Sequence, residues 1–170
     1  VFNSSNSSYL TSWDTSQRFI FYIAGESVHN QIFGIEDIWT RMVITRDSSN
    51  VVLFYRDGAL QTPNTATGTT TGIFKINNIG NQSFPGKLSN FQIWDKAWSL
   101  SDVQYAYTHP EKLITHNSSV TSGTTISNLK AWYPCTEGNP RSPQTTVYDG
   151  SGEGNHGTTT FYGDELLTAT

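Results

Sequence analysis

Two groups of residues in this 170-residue chain have the types and spacing for chemistry. Asp149, Glu153 and Asn155 stand close together among Gly150, Gly152, Gly154 and Gly157. Hard oxygen donors at two- and four-residue spacings, in a segment whose glycines free the backbone carbonyls to turn, are a ligand set for Ca2+. The same turn also needs nothing but its own side-chain-to-backbone hydrogen bonds to hold it, and that is the simpler of the two readings. The second group is Trp94 and Trp98 with Asp95 between them. Sugar rings stack on indole faces, so these three are candidates for carbohydrate binding, with plain packing as the alternative for either indole.

Other chemistries find little support. His29, His109, His116 and His156 are scattered, without the close pairing of a zinc site. No Ser/His/Asp or Cys/His arrangement is suggested beyond the presence of the residue types. Gly150-Ser151-Gly152-Glu153-Gly154 is followed by no lysine and does not lead from a buried strand into a helix, so it is not a phosphate loop. Cys135 is the single cysteine, which precludes an intrachain disulfide, and its neighbours Pro134 and Thr136 make it a small buried residue rather than a reactive thiol. Asn3, Asn6, Asn81 and Asn117 open Asn-x-Ser/Thr sequons, which chance supplies readily in so Ser/Thr/Asn-rich a chain.

The elements that must position these groups are strands and one helix. Phe91 and Ile93 alternate with Gln92 and Trp94, the period of a half-buried strand, after the punctuation of Pro85-Gly86. Ser101 and Gln104 have the spacing of a capping box, and Val103, Ala106 and Tyr107 fall on one helical face, predicting a short helix over 101–108 that His109-Pro110 stops. Upstream, residues 38–46, the polar loop 47–50 and residues 51–56 predict a hairpin. Asp57-Gly58 then predicts a tight turn into a return strand, Ala59-Leu60-Gln61-Thr62. Trp39 and Trp132, in apolar strand-like settings, are expected in the core.

Ser, Thr and Asn make up roughly a third of the chain and charged residues only 14%, the profile of a turn-rich all-β domain. The net charge of −4, without a basic run, excludes the phosphate-neutralising surface that nucleic acid requires. The longest apolar run, Phe19 to Ala24, is too short to span a bilayer, so no membrane insertion is expected. The first residues do not read as a signal peptide, and a start at Val1 suggests a processed product or an excerpt.

Residues 84–103, with Trp39, Leu53, Tyr55, Asp57 and Gly58 upstream, resemble laminin-G-like, concanavalin-A-like jelly rolls. Residues 129–138 and 147–158 resemble the segment that usually opens such a domain, here placed after its closing segment. The resemblance implies an antiparallel β-sandwich, with residues 1–17 as an arm or edge strand and 18–170 as a single jelly roll. Residues 126–160 are either permuted closing strands or the opening of a repeat. It implies a non-catalytic binding or display module, extracellular or on a virion, that recognises carbohydrate or a host surface and contacts neighbouring subunits. A purely structural subunit joined by strand edges is the alternative reading. Relatives with calcium at loop ends add weight to Asp149, Glu153 and Asn155 as a possible Ca2+ site. The fold also includes glucan hydrolases, but their carboxylates on alternate residues of one strand have no counterpart here, and adjacent Glu36 and Asp37 would point to opposite faces of a strand.

Overall fold

The computed structural model describes residues 9–11, 19–23, 26–30, 38–61, 64–65, 75–76, 87–118, 122–135 and 145–158. The Glu36-Asp37 pair and the sequons at Asn3, Asn6 and Asn81 lie outside the described residues, as does most of the segment 1–17. Among the described residues the elements are twelve strands, one α-helix and two single-turn 3-10 helices, a mostly-β chain, and no helix is long and apolar enough to cross a membrane. The chain divides into two units, one of residues 1–86 and 97–123, the other of residues 87–96 and 124–170.

In the first unit, β1 (Tyr9–Thr11), β2 (Phe19–Ile23), β3 (Glu26–Asn30) and β8 (Lys75–Ile76) form a sheet in the order β3-β2-β1-β8. Its β1–β8 pair runs parallel, a departure from the fully antiparallel expectation. A second sheet contains β4 (Met42–Arg46), β5 (Val51–Arg56), β6 (Ala59–Leu60) and β7 (Asn64–Thr65), with β4, β6 and β7 all antiparallel to β5. The loop between β4 and β5 is held by Asp47, whose Oδ1 accepts from the Ser49 and Val51 amides at 2.8 and 2.9 Å. Val52, Phe54 and Tyr55 of β5 are buried. Each such side chain contributes about 1.5–3 kcal/mol of burial.

The turn Asp57-Gly58 has φ of 49° and 78°, the mirror-image geometry that matches strand twist in two-residue hairpins. Asp57 also clamps the start of β4: its Oδ1 accepts from the Arg41 amide at 2.8 Å while its own amide donates to the Arg41 carbonyl at 2.9 Å. The strand expected from Ile38 therefore forms only from Met42. Trp39, expected in the core, is 71% exposed, because it precedes the paired ladder instead of lying within it.

Helix α1 spans Leu100–Thr108. Its capping box is Ser99 with Asp102, two residues before the expected Ser101–Gln104 pair: the Ser99 hydroxyl accepts from the Asp102 amide at 3.3 Å, and the Asp102 carboxylate accepts from the Ser99 amide at 3.0 Å. A carboxylate in the first turn also meets the positive end of the helix dipole, which glutamine cannot match. Trp98 and Val103 take the flanking positions of a hydrophobic staple, and both are buried. Ala106 is buried, whereas Tyr107 is half-exposed with its ring over Gly58, where an added Cβ would stand 3.2 Å from the Tyr107 Cδ1.

In the second unit, β9 (Phe91–Trp94) pairs antiparallel with β10 (Leu129–Tyr133), and β11 (Thr146–Val147) pairs with β12 (Gly157–Thr158). The register slips between Leu129 and Ala131, so Lys130 is the extra residue of a β-bulge. Leu129 and Ala131 are buried. Trp132 is only half-buried, and its indole N–H donates to the Asn90 Oδ1 at 2.9 Å.

Candidate binding face

The bulge at Lys130 organises an exposed face of the second unit. A bulge leaves one residue out of the ladder and re-aims its side chain. The Lys130 ammonium reaches Asp95 Oδ2 at 3.5 Å and Glu153 Oε1 at 3.6 Å, and donates to the Ser127 carbonyl at 2.8 Å. Its backbone carbonyl accepts from the Asn155 side-chain amide at 2.8 Å. Two carboxylates from opposite ends of this unit's sequence thus meet one cation, with Asn155 beneath. Asp95 is placed by the chain as well: its amide donates to the Asn128 carbonyl at 2.9 Å, and its Oδ1 accepts from the Asn128 Nδ2 at 2.8 Å. The Asn128 hydrogen bond first, and the Lys130 charge with it, hold the Asp95 carboxyl below the usual carboxylate range.

The turn from Asp149 to Asn155 is built on one carboxylate. Asp149 Oδ1 accepts from the Trp132 and Ser151 amides at 2.8 and 2.9 Å, and Oδ2 accepts from the Ser151 hydroxyl and the Asn155 amide at 2.8 and 2.9 Å. The Gly150 amide donates to the Trp132 carbonyl at 2.7 Å, fastening the turn to β10. Partial burial pushes the Asp149 carboxyl upward, but the hydrogen bonds from Ser151, Trp132 and Asn155 outweigh it and hold the group at about 2. Tyr133 donates its hydroxyl to the Asn155 carbonyl, and partial burial, with the Asp149 charge second, raises the phenol.

Beside this turn, Tyr148 is 53% exposed and meets the His156 ring edge-on at 5.5 Å between centroids. His156 Nδ1 accepts from the Asp149 amide at 3.1 Å, which places the ring proton on Nε2. Neither Lys130 nor Tyr148 was among the residues the sequence singled out, and His156 was weighed there only as a zinc ligand. A bulge carries no sequence signature, and an exposed tyrosine beside a glycine turn looks like any other.

Of the candidate residues, Asp95, Glu153 and Asn155 come together at Lys130 in the second unit, and Asp149 joins them through the Asn155 amide. Trp94 belongs to the same unit but is half-buried, its indole N–H donating to the Gln92 Oε1 at 3.0 Å. Trp98 lies in the other unit and is 9% exposed, so it offers no stacking face; its staple position before α1 accounts for the burial.

Of the three side chains expected to ligate Ca2+, Asp149 and Glu153 have their carboxylates engaged otherwise. Both Asp149 oxygens already accept two hydrogen bonds, and Glu153 faces an ammonium. A cation at Asp149 or Glu153 would have to displace those donors, whereas the turn is held by its own hydrogen bonds. Among the described residues, no group of three His, Cys, Asp or Glu side chains is positioned to hold a metal ion.

No curated protein and no solved structure matches the chain. A laminin-G family model does, over residues 1–104, from before β1 into α1, leaving β10 and the Asp149 turn beyond it. That span is more than half of the 170 residues, and the chain belongs to the concanavalin A-like lectin/glucanases superfamily.

Proposed function

We propose that this chain is a non-catalytic recognition module of a virion or cell surface, and that the Lys130 face of its second unit binds carbohydrate. The observation that carries the proposal is the convergence of Asp95, Lys130 and Glu153 on an exposed face, in the unit that also presents Tyr148. Sugar hydroxyls need donors and acceptors held at fixed positions, and an aromatic face takes the apolar side of the ring. Both are supplied by side chains whose backbone is tied down at Asn128, Trp132 and Asn155.

Membership of the superfamily supports two finer points: packing of the sheets as a jelly-roll sandwich, and glycan as the ligand class. The non-catalytic reading is supported by the carboxylates themselves. Asp95 and Asp149 are both shifted toward the ionised form, so neither offers the protonated carboxyl that a glycosidase's general acid requires. The turn's own hydrogen bonds support recognition without calcium.

A glycan array followed by calorimetric titration tests the proposal. Binding is expected with or without EDTA, and Tyr148→Ala and Lys130→Met are expected to weaken it about tenfold each, the size of one stacking or charge-assisted contact. Release of new reducing ends from a bound glycan, or affinity unchanged by both substitutions, would overturn it.

A further inference from the structure

We infer that the loop between β11 and β12, residues 148–156, is an autoinhibitory guard on the outer edge of β10, and that what it keeps out is the same edge of a second copy of this chain. Among the described residues β10 has one strand partner, β9. Backbone groups of alternate residues in a strand point to the same side, so those of Lys130 and Trp132 share an edge. The Trp132 amide donates to Asp149 Oδ1 at 2.8 Å, and its carbonyl accepts from the Gly150 amide at 2.7 Å, so both face the loop and not β9. The Lys130 carbonyl accepts from the Asn155 Nδ2 at 2.8 Å. A carboxylate oxygen, a glycine amide and an asparagine side chain thus take the places of the backbone groups that a neighbouring strand would present. Tyr133 fastens the loop there, its hydroxyl donating to the Asn155 carbonyl.

An uncovered edge is a template for another strand. Pairing this edge with itself about a two-fold axis satisfies the same groups on both chains at once, which makes a second copy the occupant that the geometry favours. The Lys130 charge, which would oppose its own counterpart across such a pair, is met by Asp95 at 3.5 Å from outside the loop. Pro134, which has no N–H to offer, ends the edge just beyond Tyr133. The stretch that opens is therefore short, and the pairing it permits is weak and concentration-dependent. None of this depends on glycan binding.

Hydrogen exchange resolved at single amides, combined with light scattering, tests the guard. In the parent chain the Trp132 amide is expected to be protected although it points away from β9, and exchange at the rate of an open amide overturns the inference. Asp149→Ala is expected to expose that amide in dilute solution and to tighten dimerisation about tenfold, with the protection returning as the dimer forms. An Asp149→Ala chain that is folded and stays monomeric as its concentration is raised overturns the inference, and so does a dimer in which the Trp132 amide remains exposed. Asn155→Ala releases the Lys130 carbonyl and leaves the Asp149 bonds in place, so it serves if Asp149→Ala does not fold. Its dimerisation is expected to tighten by a smaller factor, about threefold, and an unchanged monomer overturns the inference in that case.

Discussion

The chain uses the dipeptide Asp-Gly twice in the same way. At Asp57-Gly58 and at Asp149-Gly150, the aspartate accepts from an amide at or next to a strand (Arg41, just before β4, and Trp132 in β10), while an amide of the dipeptide returns to that residue's carbonyl. The two clamps differ in the chain beyond the glycine. Gly58 leads directly into β6, and Asp57 receives a single amide. Gly150 opens a longer loop that folds back, and Asp149 receives three amides and a hydroxyl. One motif thus serves as a hairpin corner in one unit and as the hub of an exposed turn in the other, and the number of amides converging on the carboxylate distinguishes the two roles.

The sharpest break in that comparison is removal of the hub. Asp149→Ala orphans three amides at once and is expected to cost about 2–3 kcal/mol in urea denaturation, whereas Asp57→Ala, with one amide released, is expected to cost about 1 kcal/mol. Asparagine sharpens the contrast. At position 57 it retains an acceptor and tolerates positive φ, so Asp57→Asn should be nearly silent, while at position 149 its NH2 must confront donors and the loss should approach that of alanine.

Next come the glycines. Gly58→Ala combines a left-handed backbone with the 3.2 Å approach to Tyr107 and is expected to cost about 1–2 kcal/mol. Gly152→Ala, at φ 91° with nothing within 4 Å, should cost only the backbone strain, about 1 kcal/mol. Equal losses at the two sites, measured by the same denaturation, would mean that the Tyr107 contact contributes nothing.

Acid loosens the Asp149 clamp more gently. Asp149 is held at about 2, below its ordinary 3.8, so its stabilising contribution is complete above the unfolded value and is lost as pH falls from about 4 through 2. The denaturation midpoint of the parent chain should fall over that window, and Asp149→Asn should flatten the fall. The smallest stability effect is expected at Lys130. Its ion pairs are exposed, so Lys130→Met should change stability by less than about 1 kcal/mol even where it weakens glycan binding.

Much of the first unit's hairpin was legible. Val51–Arg56 emerges as a strand with the expected bounds, and Asp57-Gly58 makes the expected tight turn, because both depend on neighbours in sequence. The helix was legible by its face, but its start was not. Two capping boxes compete two residues apart, and the one with the charged partner and the buried staple residue prevails. Trp39 misled because an apolar residue ahead of a strand looks like part of it until pairing shows where the ladder begins.

The candidate face was half legible. Asp95, Asp149, Glu153 and Asn155 are recognisable as chemistry-bearing residues, but the connection of Asp95, Glu153 and Asn155 through Lys130 depends on β9 meeting β10 across a long stretch of chain and on a bulge in that pairing. By itself, the amino-acid sequence determined the local elements: the corner at Asp57-Gly58, the strand after the 47–50 loop, the short helix and the self-bonding turn after Tyr148. Their energies come from backbone geometry and from side chains a few residues away. Only the tertiary structure decided which indole is buried, which carboxylates share a cation, and that Tyr148 and Trp39 are presented to solvent, because each of these depends on contacts between segments that are distant in sequence.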